Sequence, residues 1–346
     1  MSSSDSNQPS CCSASPPLNP KIIWLFAALS AVCAVSYVFE PLVPFREHLL
    51  MYLSKVWWAV LLGIFLGGLI DHYVSREYIS FQLAGDSHHS IWKSVGLGFL
   101  MSACCHGILA ISMQLYRKGA STSSVVAFLL ASPWANLTWT IFLIGFFGWI
   151  KALYIVGVSI VIAMVTGLIF QQLEKVSRVE RNPNTAAREA TSGSPRFWNF
   201  LKGRIWSAAD IAADVKGVTS GILVLSNMVL LWALIGVTFA AAIGAYVPAH
   251  IFQQYMGPSV AGMLITLGLA VVIEVCSEGS APIAFEIYRQ TGALGNSLVF
   301  LLAGVATDYT EIGILWQNIG RRTALWLPAI TVPQILFWGW IANVIF

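Results

Sequence analysis

Cys104, Cys105 and His106 place two thiols and an imidazole in consecutive positions inside a strongly apolar stretch. Thiolate sulfur and imidazole nitrogen suit soft or borderline ions such as Zn²⁺, Cu⁺ or trivalent arsenic. Their spacing matches no structural zinc pattern, so the sequence predicts no resident metal and no cofactor, only a transient ligand set. A third thiol, Cys276, lies 172 residues after Cys104, with Glu278 two positions on and Gly279 next, as Gly107 follows His106. Any one of these cysteines is equally compatible with service as a small apolar packing residue. Matched cysteines, each two residues before an ionisable side chain, point instead to a binding site.

Four carboxyls sit in apolar surroundings: Glu274, Glu278, Asp308 and Glu311. A charged carboxylate at bilayer depth costs several kcal/mol unless paired or hydrated, which makes such acids functional candidates. Burial raises a carboxyl pKa towards the working range, so proton coupling is the use the sequence suggests for all four. The alternative is a structural hydrogen bond to a neighbouring helix. Asn136 occupies the position that corresponds to Asp308, and with it joins the expected substrate-contacting set. Glu286, three residues before Arg289, reads as a local ion pair. Gly107, Pro133, Gly279 and Pro282 are the residues expected to break helices near these groups, glycine by its freedom and proline by its missing N–H.

The elements that must position these groups recur. Cys104, Gly107, Ile111, Tyr116, Arg117 and Phe128-Leu129-Leu130-Ala131 return as Cys276, Gly279, Ile283, Tyr288, Arg289 and Phe300-Leu301-Leu302-Ala303, nine identities in 28 positions at one offset. Duplicated halves with polar, helix-breaking motifs at matching depth are a transporter signature. The chain is 57% apolar and 10% charged, well below the charge of soluble domains, so the fold class is all-α and polytopic within a membrane. A net charge of only +3 gives no support for a nucleic-acid partner. The expected partners are the lipid bilayer and a small-molecule or metalloid substrate.

Residues 1–20 read as a disordered tail, and 21–54 as an extra first span with its loop. The first membrane repeat is 55–170, and the second is 220–346. Between them, the 171–219 linker carries eight Lys or Arg, which the positive-inside rule places in the cytoplasm. Candidate membrane segments are 22–39, 55–74, 93–116, 121–149, 150–170, 220–247, 259–287, 292–320 and 323–346. Segments 121–149 and 292–320 are 29 residues each, long for one span and short for two. The sequence expectation is that both are broken or re-entrant hairpins, giving three crossings per half and inverted repeats. Charge does not separate this from parallel repeats, with Lys and Arg dividing 14 to 5 or 13 to 6.

The stretch from Cys276-Ser277-Glu278-Gly279-Ser280-Ala281-Pro282-Ile283 through Thr291-Gly292-Ala293-Leu294-Gly295-Asn296 and Leu301–Glu311 to Asn318-Ile319-Gly320-Arg321-Arg322 resembles a predicted-permease family. That family includes the ArsP organoarsenical exporters and the YraQ-type permeases. The resemblance covers roughly residues 50–170 and 220–346. Cys104-Cys105-His106-Gly107 stands where the family has a "CSCG" segment, so the middle cysteine is displaced and a histidine replaces it. The resemblance implies an efflux permease of the inner (plasma) membrane, not an enzyme. Export of a trivalent organoarsenical or another soft, thiol-reactive solute is expected, coupled to protons because no Walker-type loop is present. Alternatives are a permease for a thiol metabolite or divalent metal, and a membrane thiol redox protein.

Overall fold

The computed structural model describes residues 19–73, 88–101, 105–117, 119–183, 208–273 and 277–346. Cys104, Glu274 and Cys276 lie outside these, as do the side chains of Cys105, His106 and Glu278. Every regular element among the described residues is helical. In the first half α1 spans Pro20–Val35 and α2 Val43–Tyr73, followed by α3 (His88–Leu100) and α4 (Cys105–Arg117). Then come α5 (Thr122–Ala135), α6 (Leu137–Phe147) and α7 (Trp149–Lys175). The second half holds α8 (Ala208–Tyr246), α9 (Ala249–Met256), α10 (Val260–Ile273) and α11 (Ser277–Thr291), then α12 (Leu294–Thr307), α13 (Tyr309–Asn318) and α14 (Arg321–Ile345).

Four helical stretches among the described residues are long and apolar enough to cross a membrane: Thr122–Phe147, Trp149–Lys175, Leu294–Asn318 and Arg321–Ile345. Bent pairs raise that number to as many as six. At the centre lie α5, in which every residue is buried, and α12, buried from Leu294 to Ala306. Helices apolar on all sides belong in such a position. Around them, Trp24, Val38, Trp57 and Val272 stand exposed, as side chains do against lipid rather than water.

The broken segments do not fold back on themselves. Thr122–Phe147 runs as one 26-residue span through its interruption at Asn136, and Leu294–Asn318 as one 25-residue span through Asp308. The hairpin expected at 121–149 and 292–320 is therefore corrected to a single interrupted crossing. The reversal lies one element earlier, in the stretches expected to be single spans. Ile91 of α3 meets the position of Gly167 beside Ala127, while Gly98 lies against Ala131 and Ser132, so α3 runs parallel to α5. A short turn leads from α4 into α5, on which α4 packs, and α3 and α4 therefore run in opposite senses. Asn296 of α12 bonds Thr266 of α10, Ser297 bonds the Ala284 carbonyl of α11, and α10 and α11 are antiparallel arms. Each arm is 13 to 15 residues, about 20 Å of helix at 1.5 Å per residue, too short to cross the roughly 30 Å hydrocarbon core.

Scaffolding is supplied by α2 and α8, which pack antiparallel. Gly68 and Gly221 bring their backbones into contact at one end, and His48 lies by Gly244 at the other. Gly63 packs on Thr138, whose hydroxyl donates to the Gly63 carbonyl at 3.1 Å, as small residues allow in membrane helix packing.

Candidate functional site

Four helices begin at interruptions: α4 at Cys105, α11 at Ser277, α6 at Leu137 and α13 at Tyr309. A helix start leaves backbone N–H groups without intrahelical partners and carries a partial positive charge. At Asn136 the chain is extended (φ −67°, ψ 154°), and its side chain closes the gap from both sides. Its Oδ1 accepts from the Trp139 N–H at 2.7 Å and its Nδ2 donates to the Ser132 carbonyl at 2.9 Å. Ser132 and Thr140 donate to Phe128 and Asn136 carbonyls at 2.8 Å each, so the groups released by the break are satisfied locally. Pro133, two residues before the end of α5, lacks the N–H that would otherwise bond the Leu129 carbonyl and so weakens the last turn of the helix.

Asp308 stands in the same place in the second half, buried between α12 and α13, with Glu311 buried in the first turn of α13. The two occupy the N-cap and third helical positions, where acids complement the dipole. Thr307 donates to the Ala303 carbonyl at 2.6 Å, a bond to the residue four back as at Ser132. One break is thus capped by a neutral amide, and the other has an acid at the N-cap position with a second acid one turn on.

Gly107 and Gly279 lie within the first turns of α4 and α11, and Pro282 lies inside α11. The interruptions fall just upstream, between α3 and α4 and between α10 and α11. Gly279 meets α8 so closely that a Cβ on Gly236 would stand 2.2 Å from its carbonyl oxygen. In each hairpin the return arm packs across the halves: α4 touches α13, and α11 touches α6. Phe146 and Phe147 of α6 pack their rings on Phe285 of α11, with centroids 5.4 and 5.5 Å apart. Arg117 of α4 donates to Asn318 of α13 at 3.3 Å. Each hairpin is thereby joined to the interrupted crossing of the opposite half. These contacts lie at the ends of α4 and α13, and between the end of α6 and the middle of α11. Cys104, Cys276 and Glu274 fall outside the described residues, immediately before α4 and α11.

Two carboxylates escaped the sequence reading because both act through backbone. Glu174, at the end of α7, takes the N–H groups of Thr122 and Ser123 at 3.0 and 3.3 Å and caps α5. Glu180 takes those of Arg322 and Thr323 at 3.0 and 2.9 Å and caps α14. Burial pushes the Glu180 carboxyl up, but the Thr323 and Arg322 N–H groups outweigh it and hold it below the ordinary value. Only the Ser-rich start of α5, Ser121 to Ser124, could have hinted that an anion sits there. The Glu286–Arg289 pair read from the sequence is present at 2.7 Å. No group of three or more metal-ligating side chains occurs among the described residues.

An all-helical, polytopic bundle in which two short hairpins meet two interrupted crossings is the architecture of a membrane permease. The chain belongs to the "Predicted permease" family, whose model matches residues 45–344. It is similar to the UPF0718 protein YcgR of Bacillus subtilis, 26% identical over 279 residues, which cover 80% of this chain and 89% of that one. The UPF0718 protein MJ0584 of Methanocaldococcus jannaschii is 21% identical over 333 residues, covering 83% and 91%. YraQ of Escherichia coli, also a UPF0718 protein, is 23% identical over 173 residues, 48% of each chain. No solved structure matches.

Proposed function

We propose that the chain is a proton-coupled efflux permease for a trivalent organoarsenical or another soft, thiol-reactive solute, held transiently by Cys104, Cys105 and Cys276. What supports this reading is that α4 begins at Cys105 and α11 at Ser277, the residues that directly follow Cys104 and Cys276 in the sequence. Both return arms then pack on interrupted crossings of the opposite half. His106, Asn136, Glu278 and Asp308 supply polar contacts in this reading, with Glu274, Glu278, Asp308 and Glu311 available to carry protons.

The reading includes two inverted repeats. Helix starts at Cys105, Thr122, Leu137 and Trp149 are matched 172 residues on by Ser277, Leu294, Tyr309 and Arg321. Each half then has three crossings and one re-entrant hairpin. The first hairpin enters from the face that holds the end of α7, and the second from the opposite face. Arg117, Lys175, Arg178, Arg181, Arg321 and Arg322 gather on the first face, which supports a cytoplasmic linker in an inner (plasma) membrane.

The test is methylarsenite resistance in cells lacking their own exporters, comparing wild type with Cys276→Ser and Glu278→Gln at equal membrane abundance. Protection that either change abolishes is the expected result. Without protection by the wild type, metalloid export is refuted and thiol metabolites or divalent metals become the cargo to test. Protection indifferent to both changes moves the site elsewhere. An imposed pH gradient that leaves proteoliposome transport unchanged removes proton coupling.

A further inference from the structure

Away from the hairpin turns, at the face opposite the linker, the return arm α11 is held to α2 by a compact polar network. Glu286 is fully buried. Its carboxylate accepts from the Tyr52 hydroxyl, from Arg289 Nε and Nη2 at 2.8 and 2.7 Å, and from Gln290 Nε2 at 2.6 Å. Arg289 reaches further, to His48 Nε2 at 2.9 Å, while His48 Nδ1 lies 2.8 Å from the Pro44 carbonyl.

These two contacts fix the state of the imidazole. A carbonyl only accepts, so Nδ1 carries the hydrogen; a guanidinium only donates, so Nε2 must present its lone pair. The neutral imidazole with its hydrogen on Nδ1 satisfies both contacts, whereas a proton on Nε2 would set two cations face to face. We propose that His48 is a proton-binding site that controls the grip of α2 on the second hairpin. Neutral His48 holds Arg289, and through it the Glu286 carboxylate; protonated His48 releases Arg289 and loosens the arm.

The surroundings leave this exchange to His48 and Arg289. Glu286 is the buried anion beside them, flanking the Gly244 backbone opposite the imidazole. Lys55 sits over the Phe285 ring at 4.7 Å, Lys151 over Tyr288 at 5.1 Å and Arg46 over Tyr37 at 4.4 Å, each on an aromatic face. Glu47 and, on α9, His250 are exposed. His48 is half-buried and open to protons from its own face. The counterpart positions at the 172-residue offset lack these groups: Ser220, Val224 and Gln114 stand where His48, Tyr52 and Glu286 would be matched. The control is one-sided, as coupling to a proton gradient requires. In that respect the proposal deepens the proton-coupled reading above, though its geometry does not depend on the cargo.

The experiment measures the melting temperature of the purified full chain from about pH 7.5 to about pH 5.5, the range over which histidine side chains change charge. Wild type is expected to lose about 2–5 °C more over this range than His48→Gln, whose amide oxygen still accepts from Arg289 but does not titrate. His48→Leu, without an acceptor, is expected to be equally insensitive to pH but to melt at the wild type's acid value. A fall of wild-type size in either variant overturns the proposal. The melt needs no transported solute, so failure of methylarsenite resistance leaves this result standing.

Discussion

Gly236→Ala is the sharpest probe of how the second hairpin is seated. The added Cβ would fall 2.2 Å from the Gly279 carbonyl oxygen and 2.8 Å from its carbonyl carbon and Cα. Ordinary carbon-to-oxygen contact begins at about 3.3 Å, so the shortfall is about 1 Å. All three neighbours are backbone, and no rotamer change relieves the clash. Either α8 or the first turn of α11 must move. Overpacking of this kind costs about 1–3 kcal/mol. With an unfolding entropy of about 2 cal/mol/K per residue, that is a drop in melting temperature of about 1–4 °C. Gly157→Ala and Gly268→Ala are the controls, because a Cβ at either position meets nothing within 4 Å. Both are expected to melt at or slightly above wild type, since alanine is favoured over glycine in helices by about 1 kcal/mol. The displaced turn follows Cys276 directly, so methylarsenite protection by Gly236→Ala should fall at equal abundance. A Gly236→Ala protein that melts with the controls would refute the close contact between α8 and α11, and with it the position given to the hairpin.

Other outcomes follow from the caps. Asn136→Ala removes the acceptor for Trp139 N–H and the donor to Ser132, and is expected to cost about 1–2 kcal/mol in thermal unfolding, whereas Asn136→Ser should recover part of that. Glu174→Ala uncovers the Thr122 and Ser123 N–H groups in a buried setting and should cost about 1–2 kcal/mol, read the same way. Because the folded Glu180 carboxyl lies below its ordinary value, its stabilisation is complete above the unfolded pKa and is lost as pH falls through the folded one. Glu180→Gln should therefore melt lower than wild type at neutral pH, by about 1 kcal/mol or less given its exposure, and the gap should close on acidification.

The crossings were legible because membrane helices announce themselves by length and apolar content. Segment ends at Trp149, Val260 and Arg321 fell within a residue or two of those read from the sequence. The interruptions were legible too, since Pro133, Asn136 and Asp308 mark them. Their geometry was not. A hairpin of two 13-residue arms and one long span have the same length and the same all-round apolar composition, so no periodicity separates 88–117 from a crossing. Contacts decide it: Gly98 against Ser132 and Ile91 against Ala127 require α3 to run with α5. The Glu286–Arg289 pair could be read from a spacing of three. Tyr52 and His48, over 230 residues away, could not, because nothing local in α2 shows which helix it will face.

Gly148 is the sole residue between α6 and α7, and Ile319 and Gly320 are the two between α13 and α14, both glycines having positive φ (78° and 152°). A joint of one or two residues leaves little slack for the first helix to be released into lipid while the second waits. Each pair must therefore leave the insertion machinery as a unit, with its sharp corner already formed. Lengthening either joint by a few serines would uncouple the two steps, and the defect would show in the yield of inserted protein rather than in the melting of what did insert.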